Sequence, residues 1–238
     1  MSSKARSYVK LFLVFVGLFL AYIVAGGLLQ GLCGERTAGA AVQLANAAVF
    51  STLTLLVYRK LFGESPRYWR GFRGAVVTAV LSGGLIAFFD LFYKLGMIRQ
   101  FAENWLFCLL LAAAAGLAEE VLFRAFLLDY ISKKASLFVG LAVTSLIFGS
   151  LHALNFLGGQ QVSLLYVFNC IAAGVFLSVL YYEYGLACSL FYHISWNAVF
   201  SENAVESKPL TGVVLLALAT AVFLVEERMR GSPAEQPR

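Results

Sequence analysis

The sequence predicts an all-α polytopic membrane protein with about eight transmembrane helices and a polar cavity within the bundle. Three observations carry that expectation. The 238 residues are 61% hydrophobic and only 13% charged, against roughly 25% charged in soluble domains, so most of the chain never meets water. The apolar residues come in runs near the 20 or so that cross a bilayer as a helix. Ionisable residues nevertheless stand inside some of those runs, where they are costly and need a partner or a water-lined space.

The runs lie near residues 9–31, 39–61, 73–94, 103–130, 136–156, 161–181, 185–201 and 209–226. Lys4, Arg6 and Lys10 precede or open the first. It is too long for the core of a cleaved signal peptide, and no A-x-A site follows, so it reads as a retained span. Polar or Gly-containing links (GERTAG, GESPRYWRG, SKKAS, NFLGGQ) separate most spans, and only the stretch from Tyr93 to Glu103 is longer and mixed. The expected organisation is one helical membrane domain over 1–230 and a disordered tail over 231–238.

The net charge is +5, with the basic residues clustered between apolar runs. That pattern suits a membrane surface and a topology signal, not nucleic acid. With the N-terminus inside, the inner segments hold Lys4, Arg6, Lys10, Arg59, Lys60, Arg67, Arg70, Arg73, Lys133, Lys134, Arg228, Arg230 and Arg238. The outer loops hold Arg36, Lys94, Arg99 and Lys208. Both termini are therefore expected on the cytoplasmic side. Cys33, Cys108, Cys170 and Cys188 show no CxxC spacing and read as small packing residues, with no cofactor or metal implied.

The fourth run reads Ala118-Glu119-Glu120-Val121-Leu122-Phe123-Arg124. Glu120 and Arg124 are four apart and share a helix face, with the acid N-terminal to the base. Glu119 points about 100° away and lacks that partner. The fifth run carries Phe148 and His152, the seventh His193 and Asn197, so both histidines of the chain lie in apolar runs. Among other polar residues, Asp129 and Glu183 are expected to face headgroups at span ends, and Asp90 lies near an outer end. Asn155 and Asn169 are expected to bridge helices, and Gln43 and Asn46 to do so or to line a cavity.

In these residues the chain resembles the CPBP family of intramembrane proteases, the CAAX-processing and bacteriocin-processing group that includes the type II CAAX prenyl endopeptidases. That family is marked by EExxxR, FxxxH and HxxxN on successive membrane helices. Here they are Glu119-Glu120-xxx-Arg124, Phe148-xxx-His152 and His193-xxx-Asn197, within a core of about residues 103–200. The resemblance implies peptide hydrolysis without a bound metal. It makes Glu119 the base that activates water, helped by His152, with His193 and Asn197 stabilising the oxyanion. Glu120, Arg124 and Phe148 would support the site. The implied partners are membrane lipid and a protein or peptide substrate, cut near a C-terminal region. Whether that substrate is prenylated stays open.

Helix arithmetic places Glu119 about 22 Å from the outer end, counted from Asn104, and His193 about 12 Å from the inner end, at similar depths. His152, counted from Leu137, comes out nearer the outer side; a kink at Gly116, tilt or a late helix start would reconcile them. Two other readings use the same residues. One is a zinc-dependent intramembrane protease with Glu and His ligands, although HExxH is absent. The other is a transporter or scaffold with the buried Glu and His as a proton relay.

Overall fold

The structure is a computed structural model that describes residues 3–30, 36–158, 162–200, 205 and 208–231. Of the expected tail over 231–238, Gly231 ends α9 and residues 232–238 lie outside the described residues, as does Cys33. Among those described there is no strand. The helices are α1 (Ser3–Gln30), α2 (Arg36–Phe62), α3 (Phe72–Phe92), α4 (Met97–Glu119), α5 (Asp129–Lys134), α6 (Leu137–Leu151), α7 (Leu164–Tyr184), α8 (Leu186–Val199) and α9 (Thr211–Gly231). A π-helical segment, Glu120–Leu128, joins α4 to α5, and a 3₁₀ segment, His152–Gly158, follows α6.

Five runs among the described residues are long and apolar enough to cross a membrane: Thr37–Phe62, Phe72–Phe92, Met97–Lys134, Leu137–Phe156 and Leu164–Tyr184. A shorter apolar stretch, Leu13–Leu28, lies in α1. The last two expected segments fall on α8 and α9, which have different character. The 14 residues of α8 extend about 21 Å, short of a core of about 30 Å. The end of α9 carries Glu226, Glu227, Arg228 and Arg230.

Packing centres on the α4–α5 run. It lies against α2, α6 and α8, while α7 packs on α6, α8 and α9, and α1 rests on α2. Phe89, Phe126, Phe176 and Leu180 are fully buried where these helices meet. Polar side chains stitch the contacts. Gln43 donates to the Gly26 carbonyl at 2.8 Å and Asn46 to that of Tyr22 at 3.3 Å, tying α2 to α1. Asn155 donates to Tyr166 Oη at 2.8 Å. Asn169 donates to the Lys208 carbonyl and accepts from the Gly212 N–H, joining α7 to the start of α9. Those bridges agree with the sequence. Asp90 accepts the Met97 N–H at 2.7 Å and so caps the start of α4.

Asp129 and Glu183 differ from expectation. Neither faces headgroups freely; both are buried. Asp129 accepts hydrogen bonds from Tyr58 and Tyr181, each at 2.9 Å. Glu183 pairs with Arg230 of α9 at 2.9 Å. A carboxylate with such partners is sheltered at a helix end where a lone one would turn to water. Cys170 and Cys188 are buried and Cys108 is half-buried.

Helix approach depends on missing side chains. At Gly149 of α6 a Cβ would stand 2.5 Å from the Ile171 backbone nitrogen of α7. Gly116 is also a packing residue, where a Cβ would meet Ile194 of α8 at 3.0 Å. The break within α4 falls not at Gly116 but at Asn104, with φ −130° and ψ 28°. Gly149→Ala should therefore cost about 1–3 kcal/mol by overpacking and lower the melting temperature in detergent. Gly83→Ala, with open space around it, should leave melting unchanged or slightly raised.

Candidate active site

The site is built where the α4–α5 run meets α6 and α8. Glu119 is the last residue of α4 and Glu120 the first of the π segment. All nine residues of that segment are buried. The adjacent carboxylates part company as the helical spacing requires. The Glu120 side chain is fully enclosed, and that of Glu119 retains 29% exposure.

Arg124 anchors the enclosed acid. Its Nη1 lies 3.3 Å from Glu120 Oε1, with both side chains fully buried, and its Nη2 donates to the Gly174 carbonyl of α7 at 3.5 Å. Its guanidinium also sits 4.3 Å from the centroid of the Phe148 ring, where a ring face attracts a cation. Phe148 thus covers the charge from the α6 side. It meets Phe123 edge-on at 5.2 Å, His152 at 4.6 Å and His193 at 6.1 Å between centroids. The side chain expected only to support the site is the surface on which three site residues, Arg124, His152 and His193, converge.

His193 of α8 stands between the two acids. Its Nδ1 is 2.8 Å from Glu120 Oε1, and its Nε2 is 3.6 Å from Glu119 Oε2. An ionised carboxylate only accepts, so Nδ1 donates to Glu120. Nε2 is then the nitrogen that faces Glu119. Helical spacing on one chain segment left Glu119 without a partner, and the neighbouring helix supplies one. Asn197 follows one turn later on the same face of α8 and is half-buried.

His152 opens the 3₁₀ segment, half-buried, with its Nδ1 donating to the Phe148 carbonyl at 2.9 Å. In the neutral ring this leaves Nε2 as an acceptor. It forms no ion pair with Glu119; the Phe148 ring lies beside it on the way to His193. The depth discrepancy has a simple origin. The run Met97–Lys134 spans 38 residues with a break at Asn104, so Asn104 is a poor origin for a depth count. Counted from the tight turn at Ser136, Glu119 and His152 are about equally far up two antiparallel helices.

Three contributors escaped the sequence reading. Ser189, fully buried near Glu120, donates to the Leu186 carbonyl at 3.2 Å. It precedes His193 by four residues, so the i, i+4 spacing on α8 carried a signal. Tyr22 of α1 lies within electrostatic range of Glu119, and Tyr166 of α7 puts its ring 6.4 Å from His152. Neither had a sequence signal, because each reaches the site from a distant helix. Among the described residues no group of three or more His, Cys, Asp or Glu side chains is gathered to hold a metal ion.

Fold and site together define a helical membrane protein that keeps carboxylate, imidazole and guanidinium groups in its interior. Residues 101–199 match the family model described as type II CAAX prenyl endopeptidase Rce1-like. The matched stretch contains all three motifs, and the family is the one their order implied. It supports a CAAX-type protease in a membrane setting. Comparison with curated proteins and with solved structures gives no match.

The geometry separates the two acids by stability. Glu120→Ala or Arg124→Ala strands a buried charge and should cost about 3–5 kcal/mol, visible as early unfolding in detergent. Glu119→Gln, at a partly exposed position, should unfold within about 1 kcal/mol of the parent.

Proposed function

We propose that the protein is an intramembrane endopeptidase that hydrolyses a peptide bond of a membrane-associated protein or peptide with a Glu119-activated water. One observation carries this reading: the His193 ring lies between two acids in unequal surroundings. Glu120 is neutralised by Arg124 and held by Nδ1 of His193. Glu119 is partly exposed and faces Nε2. A carboxylate and an imidazole so placed can take, hold and return one proton.

In the proposed reaction Glu119 removes a proton from water, and the oxygen attacks the scissile carbonyl carbon. Charge moves to the carbonyl oxygen. His193, carrying a proton on Nε2 as well as the one Nδ1 donates to Glu120, and Asn197, through its side-chain N–H, stabilise that oxyanion; donors aimed at developing charge are often the largest catalytic contribution. The proton then passes to the leaving amine nitrogen as the C–N bond breaks. His152, with Nδ1 committed to the Phe148 carbonyl, assists the water through Nε2. Glu120, Arg124 and Phe148 position the others. Glu119 Oε2, Glu120 Oε2 and Arg124 Nε are buried without a hydrogen-bond partner among the described residues.

The proposal includes a polar cavity at Glu119, about eight spans and cytoplasmic termini. The orientation rests on the basic residues assigned to the inner side, three of which, Arg73, Lys133 and Arg230, pair with acids of other segments. Substrates are protein or peptide chains at the membrane, cut towards the C-terminus.

Glu119→Gln should remain folded and lose about 10²–10⁴ in cleavage rate. The measurement compares membrane-protein termini in cells carrying the parent or the variant. Full cleavage by a folded Glu119→Gln protein would sink the protease reading and favour a relay or scaffold.

A further inference from the structure

The link between α2 and α3 is rigid although it is polar and exposed. The Arg67 carbonyl accepts the Leu186 N–H at 2.7 Å and the Tyr68 carbonyl the Ala187 N–H at 2.9 Å, while the Arg70 N–H donates to Tyr184 O at 3.1 Å. The loop thus occupies the first free N–H groups of α8. Gly185, at φ +94°, permits this: a Cβ there would stand 2.8 Å from the Trp69 nitrogen.

The clamped segment reads Arg67-Tyr68-Trp69-Arg70-Gly71-Phe72-Arg73. Tyr68, Trp69 and Phe72 are 46%, 53% and 80% exposed. Basic residues interleaved with exposed aromatics at the end of a span belong at the headgroup level of a bilayer.

Three guanidiniums surround one ring, that of Tyr182 on α7. Arg67 lies 5.2 Å, Arg70 5.8 Å and Arg230 5.7 Å from its centroid. Nearby cations are mostly neutralised. Arg230 pairs with Glu183 and Glu227, Arg73 with Glu226, and Lys133 with Glu64. The Lys133 hydrogen bond holds the Glu64 carboxyl below its usual range. Asp129, in electrostatic reach of Arg67, is held by Tyr58 and Tyr181, and Glu183, in reach of Arg70, by Arg230. Among the described residues Arg67 and Arg70 form no ion pair of their own, although both are exposed. A cavity of about 200 Å³ adjoins Arg67, lined also by Tyr182, Lys133, Ser132 and the tyrosine-held Asp129.

We infer that Arg67 and Arg70, on the Tyr182 ring, bind the headgroup phosphate of an anionic phospholipid. Planar guanidiniums match phosphate oxygens in pairs, the clamped backbone presents them ready-formed, and the exposed aromatics anchor the same loop in the leaflet. This inference is independent of the proteolytic reading.

The test uses the full-length protein in nanodiscs of phosphatidylcholine with phosphatidylglycerol, followed by native mass spectrometry of retained lipid. Each basic residue at an anionic surface contributes about fivefold, so the pair should give phosphatidylglycerol a preference of about 30-fold. Arg67→Gln/Arg70→Gln should abolish that preference while melting as the parent does. Arg59→Gln/Lys60→Gln, equal in charge change, should retain it. Equal loss in both double variants, or none in the first, overturns the site. Displacement of the lipid by millimolar inorganic phosphate overturns the lipid as its occupant.

Discussion

Glu120 and Arg124 bury opposite charges one turn apart on the helical run against which α2, α6 and α8 pack. Moving either group out of water costs several kcal/mol, and only close pairing with further hydrogen bonds offsets it. The surrounding structure reads as the means of meeting that requirement. Gly174 of α7 offers a carbonyl, Phe148 of α6 a ring face, and His193 of α8 an N–H. Three helices are thereby held in fixed relation to the fourth. The direction of the His193 ring, and so the approach of Nε2 to Glu119, follows from a charge pair that need take no part in bond breaking.

Close helix contact makes this reach possible. Gly149 lets α6 lie on the backbone of α7, and Gly116 admits Ile194 of α8 against α4. Small residues at such crossings are how helices associate where lipid removes the usual hydrophobic drive. At the basic end the same economy recurs in polar form. The loop carbonyls of Arg67 and Tyr68 satisfy the start of α8, and that helix then carries Ser189, His193 and Asn197 along one face. The loop and the buried histidine are thus joined through the start of α8.

Much of this was legible in the sequence because its physics is local. The low charge content, the apolar runs and the i, i+4 spacings announce helices in lipid with polar faces, and the three ordered motifs point to the family matched over residues 101–199. The split between Glu119 and Glu120 follows from helix geometry alone, and the difference in their exposure agrees. Asp129 and Glu183 were misjudged because position near a span end says nothing of partners. Tyr58, Tyr181 and Arg230 come from elsewhere in the chain.

What the chain determined by itself was which groups must be hidden from lipid and on which helices they ride. Tertiary structure decided which of them meet. The π segment at Glu120–Leu128 contains no Gly or Pro to announce it, and all nine of its residues are buried. The contact of His193 with Glu120 spans 73 residues of chain, and the convergence on Phe148 joins the π segment, α6 and α8. Spacing along one helix fixes a face, but the identity of the neighbour on that face depends on how separate helices cross.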